Sequence, residues 1–159
     1  MIKQRITPFL WFDHQAEDAA QFYTSIFPDS RVKTVVRYGD AGPGPQGTAM
    51  TVDFELEGQE FVALNGGPHL RFTEAISFVV NCATQQEVDY YWERLLEGGA
   101  PQQCGWLKDR YGLSWQVVPT ALVELASGPD VARTGRVMQA MMKMVKLDIA
   151  ELRRAAEQG

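Results

Sequence analysis

Cysteine and histidine are scarce in this chain, with two of each among 159 residues. Cys82 and Cys104 supply neither a disulfide framework nor a C-x-x-C pair, so a reduced, cytoplasmic setting is expected. His14 and His69 each stand alone, without a second His, Cys or carboxylate at a metal spacing such as H-E-x-x-H. Each reads as a loop histidine in contact with solvent. Basic residues are outnumbered, 15 against 20 acidic, for a net charge of −5. With no basic cluster to offset that charge, a nucleic-acid-binding surface is excluded. No apolar run approaches the roughly 20 residues needed to span a bilayer. The first residues reach Pro8 and Asp13 too soon for a signal peptide. Glycine-rich nucleotide motifs are missing as well. Gly39 to Gly47 matches neither G-x-x-x-x-G-K-[ST] nor G-x-G-x-x-G, and it opens onto a strand rather than a helix, so it reads as a mobile surface loop.

What remains is patterned for a mixed α and β protein. Ile6 to Phe12 is a nearly continuous apolar run, the mark of a strand buried on both faces. Ala16 to Phe27 has Ala19, Phe22, Tyr23, Ile26 and Phe27 at helical spacing, and Pro28 stops it. Arg31 to Tyr38 predicts a strand. From Met50 the pattern alternates, with Val52, Phe54 and Leu56 against Asp53, Glu55 and Glu57. A Glu57-Gly58 turn and a return strand from Phe61 to Leu64 complete a hairpin. The order then repeats. Ala75 to Val80 predicts a strand, Gln85 to Glu97 a helix closed by Gly98-Gly99, and the following stretch further strands. The expectation is an α+β fold of two βαβββ modules, about 1–68 and 69–119. A helical tail over 120–159 would pack on the sheet or on a partner subunit. Thr120, Asp130 and Asp148 are its candidate caps, and Val137, Met138, Met141, Met142 and Val145 its apolar content.

Residues 102–119 concentrate what chemistry there is: Cys104, Trp106, Lys108, Asp109, Arg110, Tyr111, Ser114, Trp115 and Gln116. Cys104 would be a nucleophile if a cation lowered its pKa, but no nearby histidine offers a base, and a buried inert thiol is the simpler reading. Lys108-Asp109-Arg110 reads as a solvated hairpin tip. The tail methionines at helical spacing read as packing filler.

Several strings together carry a resemblance. Thr7 to Phe12, Phe22 to Phe27, Ala63 to Pro68, Ala75 to Phe78 and the 102–119 stretch resemble the PhnB-like, 3-demethylubiquinone-9 3-methyltransferase-like branch of the glyoxalase/bleomycin-resistance/dioxygenase superfamily. That resemblance implies the vicinal oxygen chelate fold, in which two modules form a cupped mixed sheet and a divalent metal is held by one ligand from each of four strands. The corresponding positions here fall on Thr7 or Pro8, Leu64 or Asn65, Ala75 and Gln116. These residue types are poor ligands for a catalytic divalent ion or cannot ligate through a side chain at all, so no metal is expected. If Gln116 points into the cup, strand alternation sends Ser114, Ser77, Val118 and Val79 there too. Asn65, Ser77, Trp106, Lys108, Ser114 and Gln116 are then the expected ligand-binding residues, in a homodimer binding an unidentified small organic molecule. The family resemblance keeps a methyltransferase with S-adenosylmethionine as an alternative, although the Gly-rich turn of the usual cofactor site is missing. A metal-dependent lyase or dioxygenase is a second alternative.

Overall fold

The computed structural model describes residues 1–158, which form two compact units, Met1–Phe72 and the chain from Thr73 onward. In the first unit the elements are β1 (Phe9–Phe12), α1 (Ala16–Ile26), β2 (Arg31–Arg37), β3 (Ala49–Leu56) and β4 (Gln59–Asn65). The second contains β5 (Ser77–Cys82), α2 (Gln85–Leu96), β6 (Ala100–Pro101), β7 (Trp106–Lys108) and β8 (Ser114–Pro119), followed by α3 (Thr120–Ala126), α4 (Val131–Met142) and α5 (Ile149–Glu157). Each unit builds a four-stranded mixed sheet with the same strand order, β1-β4-β3-β2 and β5-β8-β7-β6. In both, the first and last strands pair in parallel and the remaining pairs are antiparallel. The doubled α+β architecture read from the sequence is therefore present.

The strands differ from the sequence pattern at their ends. Ile6 is 84% exposed and β1 begins only at Phe9. Pro8 lacks an N–H and instead accepts from Val62 through its carbonyl. β5 begins at Ser77 and runs on to Cys82, leaving Ala75 in the preceding segment. In the β3–β4 hairpin both Glu57 and Gly58 adopt positive φ, which matches the right-handed twist of the flanking strands.

The first unit's core joins α1 to its sheet. Ala16, Ala19, Ala20, Tyr23 and Ile26 are buried on the helix, and Val52, Phe54, Leu56, Phe61 and Ala63 on the strands. Gly39 to Gly47 is pinned to this unit as well. Tyr38 is buried beneath it, bonded to Thr48 and Gly47 through its backbone and donating from its hydroxyl to the Asn65 carbonyl. A Cβ on Gly42 or Gly44 would lie within 2.8 Å or less of the Tyr38 ring. Those glycines let the loop cover the tyrosine.

The tail folds as a small helical cluster of Leu122, Val137, Met144, Leu147, Leu152 and Ala156, with Val118 of β8 packed against it. Asp130 and Asp148 accept from the N–H groups of Arg133 and Glu151 as side-chain caps, whereas α3 has no side-chain cap and Thr120 is its first residue. The connection between α4 and α5 is tied to the second sheet. Met144 and Val145 carbonyls accept from Cys104 and Gly105, and Gly105 in turn accepts from Val117. Gly105 has φ 85° and Leu147 packs where a side chain would be, so glycine alone fits this crossing. Met138, Met142 and Val145 remain exposed. Among the described residues, no helix is long and apolar enough to cross a membrane.

Candidate functional site

The second sheet separates its two faces by strand alternation. Val80, Cys82, Trp115, Val117 and Pro119 are buried on the side that packs with Val88, Trp92 and Leu95 of α2. Burial pushes the Cys82 thiol up to about 12, with nearby Glu87 adding to the effect, so it is an inert protonated thiol at neutral pH. Cys104, half-buried at φ 62°, belongs to the tail crossing.

The opposite face carries two rows set by register. Ser77, Ser114 and Lys108 are direct cross-strand neighbours, and so are Val79, Gln116 and Trp106. Gln116 Nε2 donates to Ser77 Oγ at 2.9 Å, linking the rows diagonally. The Lys108 ammonium pairs with the carboxylate of Glu74, from the segment before β5, and Gln102 Nε2 donates to that carboxylate at 3.4 Å. The hydrogen bond from Lys108 is the main reason the Glu74 carboxyl lies below its ordinary range. Ser114 is fully buried, and its hydroxyl is, among the described residues, the one buried side-chain polar atom without a hydrogen-bond partner. Buried polar atoms are nearly always satisfied, so this hydroxyl has hydrogen-bonding capacity left for a ligand or an ordered water.

Five of the six residues expected to bind ligand, Ser77, Trp106, Lys108, Ser114 and Gln116, thus meet on one face. Asn65 does not lie on the corresponding face of the first sheet. Its register with Phe12 turns it toward α1, where Oδ1 accepts from Ala16 N at 2.8 Å and Nδ2 donates to Ala49 O at 3.0 Å. It is a structural tie, because its side chain replaces the N-terminal cap that Gln15 fails to provide. Asp109 also departs from the solvated-tip reading. It is only 3% exposed and accepts from Tyr111 N, Leu113 N and Trp115 Nε1. Its carboxylate closes the β7–β8 turn, for which the Asp109–Gly112 spacing is the sequence signal. Glu74 was missed for a simple reason. It lies in an irregular segment whose fold the sequence pattern does not specify.

The residues present do not fit a divalent ion. Thr7, Pro8 and Ala75 lie outside the strands, Asn65 is committed to backbone groups, and Gln116 directs an amide N–H to Ser77. Among the described residues, no three His, Cys, Asp or Glu side chains form a group able to hold a metal.

Comparison with known proteins places this geometry in a family. A family model described as 3-demethylubiquinone-9 3-methyltransferase matches residues 4–118, ending before α3. The PhnB protein of Bacillus cereus is 38% identical over 73% of this chain and 99% of its own, with a TM-score of 0.68. The fosfomycin resistance protein FosX of Mesorhizobium loti aligns at 14% identity over 86% of this chain and 100% of its own, TM-score 0.53. FosX of Listeria monocytogenes, solved with Mn(II) and sulfate, aligns at 15% over 75% of this chain and 91% of its own, TM-score 0.51. At those identities the two FosX proteins show the shared fold alone. No curated protein matches the sequence. By the family match and the Bacillus cereus relative together, the chain belongs to the PhnB-like, 3-demethylubiquinone-9 3-methyltransferase family.

Proposed function

We propose that this protein binds a small organic molecule, without a metal, on the face of the second sheet carrying Ser77, Trp106, Lys108, Ser114 and Gln116. The observation that carries the reading is fully buried Ser114, whose hydroxyl has no partner, in register with Lys108 and Ser77 and one row from Gln116 and half-buried Trp106. A few polar groups converging beside an apolar wall is the usual make-up of a ligand site. A thermal-shift screen of metal-free protein tests it. A ligand at 100 times its Kd stabilises by about 2.7 kcal/mol, and Gln116→Leu should remove that shift. Stabilisation that is indifferent to Gln116 and Trp106 variants would refute the assignment.

The family's description supports a second reading, a methyltransferase using S-adenosylmethionine. Against it, neither strand-to-helix turn, Asp13-His14-Gln15 or Ala83-Thr84, contains the glycine that a typical cofactor turn requires. Calorimetry with S-adenosylmethionine distinguishes the two, and heat at millimolar cofactor would favour the methyltransferase. A lyase or dioxygenase would instead carry stoichiometric metal, which elemental analysis of purified protein detects.

A homodimer in a reduced, cytoplasmic setting completes the proposal. Two free thiols support the setting. For the dimer, α4 offers Val131, Met138 and Met142 on one exposed stripe around Gly135, with no charged residue among them. Two antiparallel copies would oppose Val131 to Met142 and Gly135 to Met138, a self-complementary arrangement. Met142→Glu should convert the dimer to a monomer in light scattering.

A further inference from the structure

We propose that the Lys108–Ser114–Ser77 row is a carboxylate site for a small planar organic acid, and that Glu74 is a placeholder occupying it when no ligand is bound. The inference rests on the binding reading above and adds the ligand's chemical class.

Hydrogen-bonding capacity along the row is lopsided. Lys108 offers an ammonium. Ser114 offers a buried hydroxyl with no partner. Ser77 already accepts from Gln116 through its oxygen, which leaves its own proton to donate. Three donors, one of them charged, therefore face the same way, and β5, β7 and β8 contain no acidic residue to receive them. The nearby Asp109 carboxylate is turned to Trp115 and the β7–β8 turn. The carboxylate that does reach Lys108 comes from outside the strands, from Glu74.

That pair is exchangeable. The Lys108 and Glu74 side chains are 36% and 50% exposed, and ion pairs of such exposure are held weakly. Glu74 engages Lys108 but leaves Ser114 unsatisfied, so the placeholder makes only part of the contact. A ligand carboxylate that displaced Glu74 and the atoms closing over Ser114 would keep the Lys108 interaction and give the buried Ser114 hydroxyl the acceptor it lacks. The body of the acid would then run along the strands to the next row, about 7 Å away. There Trp106 presents a half-buried indole and Val79 is 49% exposed. An indole and an aliphatic side chain on either side of Gln116 suit a flat ring better than a flexible chain.

Benzoate and its neutral isostere benzamide are the probes, titrated at pH 7 into full-length protein and followed by the indole N–H resonances in two-dimensional NMR. Wild type should bind benzoate at least about tenfold more tightly than benzamide, because a charge-assisted hydrogen bond is the stronger kind. Lys108→Met should abolish that preference. Ser114→Ala should weaken benzoate several-fold, and Glu74→Gln should strengthen it about two- to fivefold by freeing Lys108. Melting curves establish that each variant is folded, and Glu74→Gln, at an exposed position, keeps the test valid if Ser114→Ala fails to fold. Equal binding of both probes at Trp106 would overturn the carboxylate assignment and leave the binding reading standing. The same holds if benzoate fails while neutral compounds from the thermal-shift screen bind there. If neither probe nor any screened compound binds, both readings fall. An unchanged benzoate affinity in Glu74→Gln would overturn the placeholder role.

Discussion

The two modules share one strand order and complete their cores by different means. In the first, β2 and β3 run to seven and eight residues, and Phe54 and Phe61 stack at 5.2 Å beneath α1. In the second, β6 and β7 shrink to two and three residues. The apolar cover that short strands fail to supply comes from the tail, where Leu147 is fully buried and packs against Gly105. The helix starts differ in the same spirit. α2 has its own cap, Thr84 accepting from Glu87 N, while α1 has none and borrows Asn65 from the end of β4. Pro119 ends β8 in the position that Asn65 holds in β4, and proline has no side chain able to cap. One topology thus tolerates a core completed from within the module or by the tail, and a helix cap taken from the residue before the helix or from the module's last strand.

The largest expected effect lies in the self-sufficient module. Phe54→Ala should cost about 3–5 kcal/mol in urea unfolding, the usual range for deleting a buried aromatic. Leu147→Ala should cost about 2–5 kcal/mol. A loss under about 1 kcal/mol would make the tail an appendage and break the comparison. Next, Asn65→Ala should cost about 1–3 kcal/mol, since it strips a cap from α1 and leaves the Ala49 carbonyl without its donor. Thr84→Ala should cost about 1 kcal/mol, a single cap. If the two substitutions cost the same, Asn65 does no more than an ordinary cap.

The smallest effect is one of pH. Asp89 on α2 is held below its ordinary value of 3.8, first by the hydrogen bond from Lys146 of the tail connection and then by that from Gln85. A folded-state pKa below the unfolded one means that the contribution is present above about pH 3.8 and is lost as pH falls through the lower folded value. Asp89→Asn should therefore flatten the fall in urea midpoint between pH 5 and 3, slightly, because the pair is exposed. No difference between variant and wild type would remove this tie from the account of tail docking.

Much of the fold was legible because period and punctuation are local. The alternation of Val52, Phe54 and Leu56, the spacing of Ala19, Tyr23 and Ile26, and the Glu57-Gly58 turn each declare their element within a few residues. Element ends were less legible. The apolar residues Ile6 and Ile76 extend the strand pattern, yet no partner strand reaches them and both stay exposed. Asp109 between Lys108 and Arg110 looks like a solvated charge run, and only the return of β8 brings the Trp115 indole to it.

By itself, the sequence determined the doubled βαβββ order and the helical tail, since composition and periodicity do not depend on how distant segments meet. Tertiary structure decided which polar residues share a face. Asn65 and Gln116 are similar carboxamides on the last strands of their modules, but register turns one toward a helix N-terminus and leaves the other beside Ser77. A shift of one residue along a strand exchanges the two faces, so pairing between distant strands assigns one amide to the fold and the other to the candidate site.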